Sequence, residues 1–360
     1  MSTTEAKPAR HTPDEVDQRL LNALQAGIAL ARRPFLNIAD TVGIDEDEVL
    51  ARMQVLKDAG IIRQVSAIFD TRALGYESTL VAASYPDELL FDAAAVVNGH
   101  PGVSHNYRRT HNFNMWFTLA LEPGSRLSLQ ETLDILARET GATSMRILPT
   151  ITLYKINVQL DMTGDSGSVA RVDPVPAPQR GDGKPPTDED RAAILILQQD
   201  LPLVPAPFDA WADAAGIDPD DLIAKAQEMQ DRTIMRRFAA VLNHRKAGFG
   251  ANGMAVWKVP AESVDDFGTR MATFKSVSHC YKRPTYDDWP YSLFTMVHAK
   301  SKDACEETIA ALATEAGLAD DDYAVLYSTF EFKKVRLKYY SPEYRAWEDI
   351  AIAGAPLPTA

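Results

Sequence analysis

Residues 105–116 hold the densest chemistry in the chain: His-Asn-Tyr-Arg-Arg-Thr-His-Asn-Phe-Asn-Met-Trp. Histidine moves protons near neutral pH or contacts iron, and arginine forks onto carboxylates. Alternation along a strand sends His105, Tyr107 and Arg109 to one face and Asn106 and Arg108 to the other. A second run, His279-Cys280-Tyr281-Lys282-Arg283, puts His279, Tyr281 and Arg283 on a matching face, with Cys280 and Lys282 opposite. Phe113, Trp116, Trp289 and Tyr291 can wall a flat macrocycle, with Asn114 beside them. Polar strands of this kind are expensive to bury unless each group is paired. Singly, each residue also has a plainer role in packing or a local ion pair. Their repetition in both halves raises the functional reading to parity. No P-loop, GxGxxG, HExxH or GxSxG stands in the required context. A site here therefore binds something anionic and flat with sheet residues alone.

The repetition extends well beyond these strands. Residues 43–76 align without a gap on 216–249, Gly43 with Gly216 and Tyr76 with Phe249, an offset of 173. Ser104–Arg109 then aligns on Ser278–Arg283 at an offset of 174. So long a period means tandem duplication of a whole module, and the seam of such a pseudo-dimer is a natural ligand site. Past the arginines the halves diverge. Phe117-Thr118 matches Phe294-Thr295 at an offset of 177, so the second half has a longer, proline-bounded hairpin and no partner for His111. One pocket is expected to do chemistry while the other half completes or closes it. A hairpin is also expected to bring His105 and His111 to one pocket.

The elements that position these residues read as α+β. Val16, Leu20, Leu21 and Leu24 mark a first helix, and Ile38, Ala39 and Val42 before Gly43 a second. Val49, Met53 and Leu56 mark a third, with Asp45 as its N-cap. Residues 61–69 follow as a strand, completing a winged helix-turn-helix. Strand 80–85, helix 88–99, strands 104–109 and 114–121, helix 127–140 and strand 147–157 then give a ferredoxin-like βαββαβ order, and the second half repeats it. The expected domains are a helix-turn-helix at 1–75, βαββαβ at 76–162, a Gly/Pro/Ser linker at 163–187, a second helix-turn-helix at 188–248, a second βαββαβ at 249–340, and a loose tail at 341–360.

Composition narrows the classes. The chain has 37 basic against 50 acidic side chains, net -13, which argues against a general grip on nucleic acid. The starts of the third helices, Asp45–Glu48 and Asp218, Asp220 and Asp221, repel phosphate where a DNA reader would attract it. Two cysteines form no disulfide framework, and the N-terminus lacks an apolar leader. No specific DNA binding, no membrane and a cytoplasmic location are expected.

The helix-turn-helix followed by βαββαβ resembles the Lrp/AsnC regulators. More specifically, HNYRRTHNFNMWFTL and HCYKRPTYDDWPYSLFTMVH resemble the signature segments of the sirohaem decarboxylases. These are the paired AhbA/AhbB and NirD/NirL proteins, here in the fused NirDL order over roughly 16–158 and 188–338. The resemblance implies removal of the C12 and C18 acetate carboxyls of sirohaem, giving 12,18-didecarboxysirohaem for haem d1 or alternative haem biosynthesis. It implies a carboxy-lyase with no added cofactor and no protein-held metal. His105 and His111 become candidates for acid chemistry, and His105 or His279 for axial contact with the substrate iron. Tyr107, Arg108, Arg109, Asn114, Trp116, His279, Tyr281, Lys282, Arg283, Trp289 and Tyr291 would contact substrate. Arg109 and Arg283 would hold the peripheral carboxylates that stay. Related subunits of the NirG/NirH type and further copies of the chain are the expected partners. The alternative is a ligand-responsive Lrp/AsnC-type regulator whose effector fills the same seam.

Overall fold

A computed structural model describes residues 11–156, 181–242, 251–299 and 301–360. Most of the expected linker, and the ends of the modules flanking it at 157–162 and 243–250, lie outside the described residues. The chain divides into two compact units, Met1–Gly75 with Gln179–Gly248, and Tyr76–Pro178 with Phe249–Ala360.

In chain order the first half runs α1 (Glu15–Ala26), α2 (Pro34–Val42), α3 (Glu46–Asp58), β1 (Ile62–Phe69), β2 (Glu77–Ser84), α4 (Leu90–Gly99), β3 (Val103–Arg109), β4 (Met115–Leu121), α5 (Leu129–Thr140), β5 (Ser144–Leu148) and β6 (Thr152–Ile156). The second half runs α6 (Asp188–Leu197), α7 (Pro207–Ala215), α8 (Pro219–Asp231), β7 (Met235–Leu242), β8 (Ala251–Trp257), α9 (Val264–Ala272), β9 (Val277–Lys282), β10 (Leu293–Ala299), α10 (Lys302–Ala316), β11 (Tyr323–Lys334) and α11 (Pro342–Ile352).

Duplicated local chemistry builds the first unit. Pro34 and Pro207 open α2 and α7 with preset φ, and Gly43 and Gly216 end them in the left-handed region at φ 80 and 68. Asp45 caps α3 through the Glu48 N–H, and Asp218 caps α8 through the Asp220 N–H. The acids at these helix starts are partly consumed within the unit: Arg33 pairs with Glu46, and Arg32 bridges Asp209 and Asp220. The two wings pair with each other, β1 antiparallel to β7.

In the second unit the strands run β5-β2-β4-β3-β11-β8-β10-β9-β6. Each half contributes the ferredoxin-like order, and the halves exchange strand ends. The single strand expected over 147–157 is two strands. Pro149 cannot donate a ladder hydrogen bond, so pairing breaks there. β5 stays on β2, while β6 crosses to pair with β9 of the other half. In return, β11 pairs with β8 through its first part and with β3 through its last. A lysine bolts each exchange. Lys155, opposite Cys280 and 4% exposed, donates to the Phe274 carbonyl at 2.6 Å. Lys333, opposite Asn106, donates to the Asn98 carbonyl at 2.5 Å. Both carbonyls lie at helix C-termini, where a cation is favoured.

Period-two alternation supplies both faces of the strands. Val81, Ala83, Met115, Phe117 and Leu119 pack under α4 and α5. From the opposite face, Ala82 and Trp116 join Met254, Val256, Trp289, Phe294 and Leu326 in a core shared by both halves. The sheets of the two halves therefore pack together within one chain.

The tail departs from expectation. Residues 342–352 are helical, and Tyr344, Trp347, Ala351 and Leu357 are buried in the core of the first half. Glu348, 1% exposed, accepts from Ser125 and from the Arg126 N–H. The tail passes so close to Gly99 that a Cβ there would lie 1.8 Å from the Pro358 carbonyl oxygen. Among the described residues, no helix is long and apolar enough to cross a membrane.

Candidate active site

An open cleft of about 930 Å³ lies where β2 ends and the β3–β4 turn begins. Its wall includes Arg108, Arg109, His111 and Asn114 from the expected set, together with Tyr85, Asp87 and Thr329.

Arg109 is the unusual member. Its guanidinium is buried, and Nη1 donates to the Leu326 carbonyl of β11 at 2.9 Å. Nε has no hydrogen-bond partner, and no carboxylate pairs with this arginine among the described residues. The Tyr107 ring lies 5.8 Å away. Burial pushes the Arg109 pKa down to about 10, so it stays charged at neutral pH. A buried cation without a counter-ion is costly, and an anionic ligand would relieve that cost. The second half mirrors the contact: Arg283 donates to the Leu148 carbonyl of β5 and lies 4.9 Å from the Tyr281 ring.

His111 sits just beyond the end of β3. Its Nδ1 accepts from the Phe113 N–H at 3.0 Å, so the neutral ring carries its proton on Nε2. Burial lowers its pKa from the usual histidine value. Trp289 of the second half meets the ring edge-on at 5.2 Å, and Tyr291 lies 6.4 Å away. The longer hairpin thus delivers two aromatics to the histidine that has no duplicate.

His105 does not join His111 in this cleft. At about 3.3 Å per residue, β3 carries His105 roughly 13 Å from Arg109, and His111 lies beyond that end. The Nδ1 of His105 lies 3.0 Å from Ser104 Oγ, as that of His279 lies 2.8 Å from Ser278 Oγ. Each stands beside the next outward tyrosine, His105 with Tyr107 at 6.3 Å and His279 with Tyr281 at 6.0 Å. The two faces are duplicates in geometry as well as sequence.

Several expected contacts have structural duties. Trp116 and Trp289 are 1% and 0% exposed and fill the shared core, as Phe113 does, so they do not present open walls. Asn114 spends its amide on the Tyr85 backbone, accepting at 3.0 Å and donating at 2.8 Å. Arg108 pairs with Asp87 at 3.1 Å, and Lys282 with Asp265 at 3.0 Å, on exposed surface. Sequence reasoning missed Tyr85, Asp87 and Thr329. Asp87 stands three residues past the end of β2, in the Tyr-Pro-Asp-Glu connection to α4, a position that points to the same sheet end as the β3–β4 turn.

Paired helix-turn-helix units with an exchanged βαββαβ pair define a class. Residues 73–155 and 246–333 match the model of the AsnC-like ligand binding domain. Residues 17–63 and 190–236 match the siroheme decarboxylase NirDL-like HTH domain. The siroheme decarboxylase of Hydrogenobacter thermophilus is 38% identical over 334 residues, 91% of this chain and 96% of that protein. The siroheme decarboxylase NirDL subunit of Paracoccus denitrificans is 32% identical, covering 90% and 97%. A crystal structure of the siroheme decarboxylase NirDL superposes with a TM-score of 0.73 at 33% identity, covering 95% of this chain and 99% of that one. A second, in co-complex with an iron-uroporphyrin III analogue, gives the same score over 94% and 99%. The chain belongs to the siroheme decarboxylase family.

Proposed function

We propose that the chain is a carboxy-lyase that removes the C12 and C18 acetate carboxyls of sirohaem in the His111 cleft, yielding 12,18-didecarboxysirohaem for haem d1 or alternative haem synthesis. The observation that carries this reading is Arg109, a buried guanidinium beside His111 with no carboxylate of the chain to pair with. Sirohaem is rich in carboxylates, and the family's own members act on it by name.

Each decarboxylation converts an acetate and one proton into a methyl group and carbon dioxide. The carbon–carbon bond to the carboxyl breaks, its electron pair stays on the methylene and spreads into the macrocycle, and a proton then quenches the carbon. His111 is the donor. Burial favours its neutral form, and the carboxylates of bound substrate favour its imidazolium. Its open cleft allows reprotonation from water between the two steps. Arg109 holds a carboxylate that stays, because a cation on the reacting one would stabilise the ground state. His105 and His279, beside Tyr107 and Tyr281, stand on the duplicate faces outside this cleft wall, and bear on affinity or on the iron spectrum and not on the proton transfer.

Absorbance titration with sirohaem tests binding, and carbon dioxide release from sirohaem labelled in its acetate carboxyls tests turnover. Arg109→Gln should weaken binding by about tenfold or more, the worth of one charged hydrogen bond. Sirohaem that binds without releasing label would leave a carrier, not an enzyme.

A further inference from the structure

The wall of the His111 cleft contains one group of the wrong sign for a polyanionic ligand. Asp87 lines it together with Arg108 and Arg109, and among the described residues no other carboxylate does. An acid repels a carboxylate-rich ligand, so Asp87 is not there as a direct contact. It also does little for the fold. Its side chain is 77% exposed and meets Arg108 through a single bond of 3.1 Å, a kind of pair that adds little to stability.

The duplication shows that this acid goes with the chemistry. Pro86-Asp87-Glu88 aligns on Pro260-Ala261-Glu262 at an offset of 174, and α4 and α9 begin at the aligned Leu90 and Val264. The second half therefore has alanine where the first has Asp87. Lys282, which stands in the place of Arg108, pairs instead with Asp265 of α9. The half that carries a histidine past its arginines is also the half that carries an acid at this position.

Decarboxylation gives the pair a use. As the carbon–carbon bond breaks, negative charge leaves the carboxyl for the macrocycle, and carbon dioxide departs neutral. A guanidinium on the reacting carboxylate would be worth most before the bond breaks and would slow the step. Arg109 is buried and fixed on the Leu326 carbonyl, whereas Arg108 is a partly exposed cation with only Asp87 to hold it.

We propose that Asp87 is a positioning residue that holds Arg108 off the reacting acetate, so that the carboxylate beside His111 meets no free guanidinium. The inference rests on this cleft being where sirohaem reacts. A substrate carboxylate reaches Arg108 only by displacing Asp87, which is tethered in the same wall.

Asp87→Asn keeps the size of the side chain, removes its charge and frees Arg108. Absorbance titration with sirohaem and single-turnover release of the first carbon dioxide separate binding from chemistry. The dissociation constant and the rate constant should both fall about tenfold, the worth of one charged hydrogen bond, and the ratio of rate constant to dissociation constant should stay near the wild-type value. The double variant Asp87→Asn/Arg108→Gln should return both toward wild type, which a merely structural role for Asp87 would not do. Unchanged or weaker binding in Asp87→Asn, tighter binding without slower release, or a slow step that the added Arg108→Gln leaves slow would each overturn the proposal. Arg109→Gln beside them keeps the two readings apart. If it binds sirohaem as tightly as wild type, the cleft is not the site, and the proposal falls with it.

Discussion

His100 makes a quantitative test of how the C-terminal helix is held. The ring is 0% exposed between α4 and β3, with Trp347 4.1 Å and Tyr344 5.5 Å away, centroid to centroid. Nδ1 accepts from the Gly102 N–H at 2.9 Å, and Nε2 has no partner among the described residues. Burial, reinforced by Lys333 and opposed by Glu348, pushes its pKa down from 6.5 to about 3. The folded protein therefore keeps the ring neutral while the unfolded chain takes up a proton below pH 6.5. Stability falls as pH drops through that window, and the loss ends only near the folded value. From pH 7 to pH 5 this amounts to about 2 kcal/mol. His100→Asn keeps an acceptor for Gly102 and does not titrate. Trp211→Phe as background leaves tryptophan emission only from the unit that holds His100. Urea unfolding at both pH values should then show wild type losing about 2 kcal/mol more than His100→Asn. Equal losses would mean that the ring is charged in the folded state, and that the packing of α11 on it is not as described.

Three further outcomes follow from the same geometry. Lys155→Ala removes a buried stem and the bond to the Phe274 carbonyl, and should cost about 3 kcal/mol in the same fluorescence assay; a cost below a few tenths would deny the strand exchange its bolt. His111→Ala should slow single-turnover decarboxylation by about two to four powers of ten while sirohaem still binds, whereas His279→Ala should mainly alter affinity or the iron spectrum; wild-type turnover in His111→Ala would move the chemistry to the second half. A gel shift at physiological salt should find no nanomolar, sequence-selective duplex binding, the range that specific readers reach, because Asp45, Asp218 and Asp220 are spent on caps and ion pairs.

The duplication was legible because its signals are local. Proline at the first turn, glycine past the last and aspartate at the cap recur at one spacing in both helix-turn-helix segments. Strand alternation put Arg109 and Arg283 on matching faces, but that each guanidinium reaches a backbone carbonyl of the other half could not be read from residue types. The strand exchange was hidden, since Pro149 in an otherwise apolar run says that pairing stops and not where the chain goes next. The tail helix had a signal that its Pro- and Gly-rich end obscured: Pro342 at the first turn and Tyr344, Trp347 and Ala351 at spacings of three and four. Trp116 and Trp289 look alike in sequence whether they wall a cleft or fill a core. The separation of His105 from His111 depends on how long β3 stays straight, which residue types alone do not set.

The most direct measurement is the mass of the tetrapyrrole after anaerobic incubation of sirohaem with purified protein, wild type beside His111→Ala. Wild type should return a product lighter by two carbon dioxide units. His111→Ala should bind the same sirohaem and return it unchanged. Unaltered sirohaem from wild-type protein that has demonstrably bound it would contradict the decarboxylase reading, and loss of carbon dioxide from both proteins would contradict the place assigned to the chemistry.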